Sequence, residues 1–450
     1  MLYTVKMKKR TIALTLAMLT MVSAVGCGKN DSGSTAKGGN ESASGPVEIE
    51  FWYGLGGTLG ETMEEMIVAF NESQDEVVVK GVVQSSYEET SKMLQAAIAS
   101  GEVPACYLGS HIDSTTFAEK GVLEYMDDYI AADPEFDKDD IIEAFMDYCR
   151  DSEGHVYSLP VWGTTQVVYY RKDMFEEVGL DPDEVFATWQ NVADAARTLQ
   201  EHYKTEEPNF FGFEPMSGPD CLVDIACSNA GTIVSEDEKT VTFNSDAFVE
   251  AMESARKWIN EEKIMGIHFG GDGWEYWYKT IDDVMQGRAG GYIGSSGDQG
   301  DLDFNIIAAH VQPGFNDNPP KPYVDPITAA IVKKAPDVEK QAAFKFLTYL
   351  NKVGTKNFSM SAGYVPVRSS VKEDEEYKAY LEKNPQALVP IEQAELGRRK
   401  WHDITGGDVM TALSDACDLI EIENVPAKEA LDDAAVIAQQ ALDEYWANQE

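Results

Sequence analysis

The sequence predicts an α/β protein of two domains, and three observations carry that reading. Short Val-rich or alternating strands are separated by single amphipathic helices, the pattern of a largely parallel sheet. The 450 residues, 43% hydrophobic and 10% aromatic, suffice for a sizeable core in each of two domains. No internal repeat is present, and 25% charged residues suit neither a disordered tail nor a coiled-coil rod.

The first strand is expected at residues 47–52, where apolar and acidic residues alternate, with Trp52 pointing into the core and Tyr53 facing the other way. After Gly54, Gly56 and Gly57, the spacing of Met63, Met66, Ile67 and Phe70 predicts a helix. Residues 76–83 form a Val-rich strand. Ser86 and Glu89 have capping-box spacing, so a second helix continues through Met93, Leu94, Ala97 and Ile98. Residues 105–109 read as a third strand. Ligands bind at the carboxyl ends of such strands, which draws attention to Tyr53, His111 and the loop before Tyr87.

Further on, a loop carrying Trp162, Gly163 and Thr164 is expected before an apolar strand at 167–170. A short helix then closes at Gly179, and Thr188 caps the next one. A Trp/Tyr-rich segment (273–278), a Gly-rich run (285–300) and a Pro-rich loop (313–326) precede a helix at 339–350. The C-terminal part, from Val409 on, is helical.

The N-terminus carries an address. Lys6, Lys8, Lys9 and Arg10 precede an apolar run at residues 11–26, shorter than the ~20 residues of a membrane span. Small residues then lead to Cys27. This resembles the bacterial lipobox, in which the signal is cut before a lipid-bearing Cys, although Ala24 stands where Leu is preferred. An ordinary secretory signal is the other reading. Residues 27–46, rich in Gly, Ser and Asn, read as a flexible tether.

Composition excludes several functions. Lys plus Arg number 36 against 78 Asp plus Glu, a net charge of −42, and no basic run longer than Arg398-Arg399-Lys400 follows the first ten residues. Nucleic-acid binding is therefore not expected. Beyond Cys27, Cys106, Cys149, Cys221, Cys227 and Cys417 lack disulfide-framework or zinc spacing, so no metal or cofactor is expected. No Gly-x-Ser-x-Gly, His-Glu-x-x-His or P-loop motif occurs, and carboxylate pairs are inevitable in so acidic a chain. A secreted hydrolase is the disfavoured alternative.

The segments Phe51-Trp52, Tyr169-Tyr170-Arg171-Lys172-Asp173-Met174-Phe175, Gly179-Leu180-Asp181-Pro182, Thr188-Trp189, Met285-Gln286-Gly287-Arg288-Ala289, Ala343-Phe344-Lys345-Phe346-Leu347 and Gly363-Tyr364-Val365-Pro366 stand in one order. In that order they resemble the extracellular solute-binding proteins of ABC importers (family 1), the group with maltose-binding and glycerol-3-phosphate-binding members. The resemblance implies a two-lobed periplasmic-binding-protein fold (type II) that traps its ligand by hinge closure. One lobe would comprise residues 47–158 plus 312–360, the other 159–311 plus 361–450. It further implies a monomeric, lipid-anchored receptor on the outer face of a bacterial membrane, with no cofactor, working with permease subunits and a cytoplasmic ATPase. A receptor reporting to a sensor kinase would have the same lobes.

A sugar site needs aromatic platforms with acid, amide or hydroxyl partners. Tyr53, His111, Trp162, Gly163, Thr164, Trp274, Asp298 and Asp325 are candidates of that kind. Comparison with glycerol-3-phosphate-binding members of the family adds Tyr87, Ser296 and Tyr364, and also Arg399, whose register beside Arg398 and Lys400 stays open. The sequence departs from them at His111, where they have glutamate. It departs again near Ser217 and Asp220, where they have tryptophans, and at Asp325-Pro326, where they have a diglycine.

Overall fold

The computed structural model describes residues 45–271 and 275–449. The expected export signal, Cys27, the expected tether up to Ser44, and Trp274 lie outside the described residues. Eight strands form the framework: β1 (Val47–Tyr53), β2 (Val77–Val83), β3 (Cys106–Ser110), β4 (Leu159–Arg171), β5 (Gly291–Ser295), β6 (Ile307–His310), β7 (Val324–Ile331) and β8 (Val365–Pro366).

The early elements form as local chemistry dictates. β1 pairs in parallel with β2 and β3, and the helices Gly57–Ser73 and Tyr87–Ser100 make the crossovers. Ser86 caps the second helix by accepting from the Glu89 N–H, satisfying a donor that the helix start leaves open. Gly54 is required here, since a Cβ would lie 2.0 Å from the Ser86 carbonyl oxygen.

Three expectations need correction. The sheet is mixed, because β7 runs antiparallel to β3, and β4 antiparallel to β7. Trp162, Gly163 and Thr164 do not form a loop; they lie within the 13-residue strand β4, and Asp325 and Pro326 belong to β7 opposite them. Gly163 serves close packing, since a Cβ there would meet the Phe145 ring at 2.3 Å. Tyr53 does not face away from the core. It is 1% exposed and stacks on Phe51, its neighbour on the same strand face, while half-buried Trp52 packs on the other side.

β4 is the element that positions the site. Its first half, through Thr165, pairs with β7; from Gln166 it pairs with β5, and from Val168 also with β6. The two halves also serve different cores. Leu159, Val161 and Trp162 join an apolar cluster with Phe51, Phe346 and Phe358. Val168 and Tyr170 join another with Phe175, Trp189, Leu413 and Leu431. The C-terminal helices Asp408–Glu421 and Ala427–Ala447 pack against this second core. No helix among the described residues is long and apolar enough to cross a membrane.

Candidate functional site

Where β4 passes from one core to the other, a cavity of about 520 Å³ opens beside it. Thr164 and Gln166 of β4 form one edge, with Tyr323 and Asp325 from the start of β7. Ser217 and Asp220 come from the segment that begins the helix Pro219–Ser228. Tyr276, Trp277 and Tyr278 come from the helix Glu275–Met285, and Asp298 from the turn after β5. Aromatic rings and oxygen-bearing side chains thus share one lining, which suits a ligand with hydroxyl edges and apolar faces.

Its polar groups are held by one another. The Tyr323 hydroxyl donates to Asp220 (3.0 Å) and accepts from Gln166 Nε2 (3.2 Å). Lys400 Nζ lies 2.8 Å from Asp220 and 3.9 Å above the Tyr323 ring, so the cation is already engaged. Asp298 accepts from Trp277 Nε1 (3.0 Å) and from the Tyr292 hydroxyl (3.2 Å). Burial nevertheless pushes the Asp298 carboxyl up to about 7, outweighing those two bonds. Beneath the site, fully buried Asp224 accepts from Arg398 (2.8 Å) and the Tyr323 N–H (3.1 Å), and burial pushes it to about 7 as well.

Of the residues singled out in the sequence, Thr164, Asp298 and Asp325 line this cavity. His111 adjoins it through Asp325, at 3.2 Å, and packs on the Tyr148 ring. Ser296 is buried, its hydroxyl accepting from the Thr165 N–H at 3.3 Å. Burial pushes the hydroxyls of both Tyr87 and Tyr364 up, and nearby Tyr364 adds to the rise at Tyr87. Trp162 is fully buried against Phe358 and Tyr364, and Gly163 and Tyr53 are packed likewise. Arg399 opens into a different cavity, of about 1100 Å³, with Arg150, Lys321 and Trp401. It donates to the Asp147 carbonyl and lies over Tyr148. Trp274 falls outside the described residues.

Sequence reasoning did not single out Gln166, Tyr276, Tyr323 or Lys400 as ligand groups. Ser217 and Asp220 stand in the sequence only as departures from the family pattern, whereas Trp277, expected with Trp274 near the cleft, does line the cavity. Tyr323 has no local signal, because a Pro-rich stretch gives no hint of what folds against it. Among the described residues one group of His and carboxylate side chains is close enough to hold a metal, Glu214, His268 and Asp283, and it does not line this cavity.

Comparison with known proteins adds the following. The model of the family described as bacterial extracellular solute-binding protein matches residues 65–385. The chain is 30% identical over 160 residues to the sn-glycerol-3-phosphate-binding periplasmic protein UgpB of Escherichia coli (strain K12), covering 35% of this chain and 36% of that one. It thus spans about a third of the length of the curated relatives it matches. Among solved structures, the cyclic alpha-maltosyl-1,6-maltose binding protein from Arthrobacter globiformis superposes with a TM-score of 0.75 at 20% identity, over 89% of this chain and 100% of that one. UgpB from Mycobacterium tuberculosis in complex with glycerophosphocholine gives a TM-score of 0.69 at 21% identity, over 89% and 99%. These likenesses establish the two-lobed α/β fold.

Proposed function

Since the chain belongs to the bacterial extracellular solute-binding proteins, we propose that it captures a small neutral carbohydrate in the cavity beside β4. It would deliver that ligand to the permease of an ATP-driven importer and catalyse no reaction itself. The lobes would be residues 47–158 plus 312–360, and 159–311 plus 361–450. Cys27, lipidated after signal cleavage, would hold the protein at the outer membrane face. A Cys27→Ala chain that is still processed and still sediments with membranes would disprove the anchor.

The observation that carries the ligand class is the lining itself. Tyr276, Trp277 and Tyr323 stand with Thr164, Gln166, Ser217 and three carboxylates around one space. Carboxylates accept readily from sugar hydroxyls, whereas a phosphate dianion needs convergent N–H donors. The one Lys of the lining is already paired with Asp220. The relatives include proteins whose names record binding of a maltosyl-maltose, of glycerol 3-phosphate and of glycerophosphocholine.

One observation favours a phosphorylated polyol instead. Arg150, Lys321, Arg398, Arg399 and Lys400 gather around the larger cavity of an otherwise acidic chain. Three of them are committed, Arg398 to Asp224, Arg150 to Glu143 and Lys400 to Asp220. Titration calorimetry with mono- and oligosaccharides against glycerol 3-phosphate decides between the two. A neutral sugar is expected to bind, and Asp325→Ala to weaken it about tenfold or more, the loss of one charged hydrogen bond. Tight glycerol 3-phosphate binding that Arg399→Ala abolishes would overturn the carbohydrate reading.

A further inference from the structure

Behind the cavity wall, three side chains of metal-ligand type converge. Glu214 lies on a segment bridged to Tyr292 of β5, His268 on the loop after Met265, and Asp283 on the helix Glu275–Met285. One ligand atom from each lies within 4.8 Å of the others. His268 Nε2 is 2.8 Å from Asp283 Oδ2 and 4.0 Å from Glu214 Oε1.

Glu214 is the informative member. It is 1% exposed, and neither carboxyl oxygen has a hydrogen-bond partner. Such a group is costly to bury unless something neutralises it. The contrast with Glu421, also buried, is direct: its Oε1 accepts from the Ser217 hydroxyl and the Gly218 N–H. Asp283 is oriented from outside, since Arg288 Nε takes its Oδ1 at 2.5 Å and leaves Oδ2 on the side of His268.

We propose that Glu214, His268 and Asp283 form a binding site for a divalent transition-metal ion of the zinc class, with water completing the coordination. One imidazole with two carboxylates suits Zn²⁺ or Mn²⁺ better than Ca²⁺, which takes six to eight oxygens. Tetrahedral bonds of about 2.0–2.1 Å place ligand atoms about 3.3 Å apart. The observed 2.8 and 4.0 Å lie on either side of that value, so small side-chain shifts complete the geometry. Metal occupancy would tie three segments together, including the helix that presents Tyr276 and Trp277 to the cavity. It would therefore brace one wall of the ligand site.

The test uses the full chain, stripped with a chelator and titrated with ZnCl₂ alone by calorimetry, with Co²⁺ absorption as a second readout. One equivalent is expected to bind and raise the melting temperature, with a Co²⁺ visible spectrum of the low-symmetry, four-coordinate kind. Glu214→Gln keeps the shape and removes the charge, and it is expected to weaken Zn²⁺ at least tenfold. His268→Gln, at a part-exposed position, gives the same result and decides the matter if Glu214→Gln fails to fold. Absence of binding overturns the proposal. So does weak binding of several equivalents that neither variant changes, the behaviour of a merely acidic surface.

Discussion

Asp298 shows how one buried carboxyl links the cavity to pH. Its side chain is pushed up to about 7 by burial, against the bonds from Trp277 and Tyr292. In the unfolded chain the same group titrates near ~3.9. Between those values the folded state holds a proton that the unfolded state has released. The stability tied to Asp298 is thus fully present below about pH 4 and is lost as pH rises through about 7. Asp224 and Glu421, both pushed to about 7 chiefly by burial, run in the same direction. The chain is therefore expected to melt at a lower temperature near pH 8 than near pH 5.5. Asp298→Asn should shrink that difference, because an amide accepts from Trp277 without titrating. Thermal melts at the two pH values check this; a variant with the full parental difference would show that Asp298 does not contribute.

At the scale of elements, what the sequence revealed was what neighbouring residues decide. The Ser86 and Thr188 caps and the Gly179 stop each became the expected structure, because every partner lies within a few residues, and the alternation at 47–52 marks a strand by its own period. β4 escaped notice in its first half. Gly163 and Pro326 read locally as loop formers, yet they face each other in a strand pair whose members lie over a hundred residues apart. What fills the space over Gly163 is the Phe145 ring, and no spacing rule announces that contact. Trp162 was misread for the same reason. An aromatic beside Gly looks like a ligand platform, but the strand carries it into the core against Phe358. The site was legible to a similar extent. Thr164, Asp298 and Asp325 mark the cavity, whereas Tyr323, Asp220 and Lys400 form one polar cluster only after three distant segments meet.

At the scale of the whole molecule, the two largest apolar cores are separate, and polar side chains gather where β4 passes between them. Gln312 Nε2 donates to the Gln166 carbonyl, and the Gln312 N–H donates to Gln393 Oε1. Asp224 collects Arg398 and the Tyr323 N–H. A continuous apolar core would lock two lobes together, since packed interiors deform little. If β4 is a hinge, hydrogen bonds there would permit rotation as the backbone angles at Thr165 and Gln166 adjust. Ligand that touches both sides of the cavity would stabilise the closed arrangement by its extra contacts there. Saturating ligand is accordingly expected to reduce the radius of gyration in small-angle scattering. It should also change tryptophan fluorescence, because the Trp277 indole bonds to Asp298 in the cavity lining. Trp277→Phe separates the two signals: the fluorescence change should largely vanish while the contraction remains. If calorimetry reports binding and the scattering curve does not move, the ligand occupies a preformed pocket within one lobe, and the crossing strands are not a hinge.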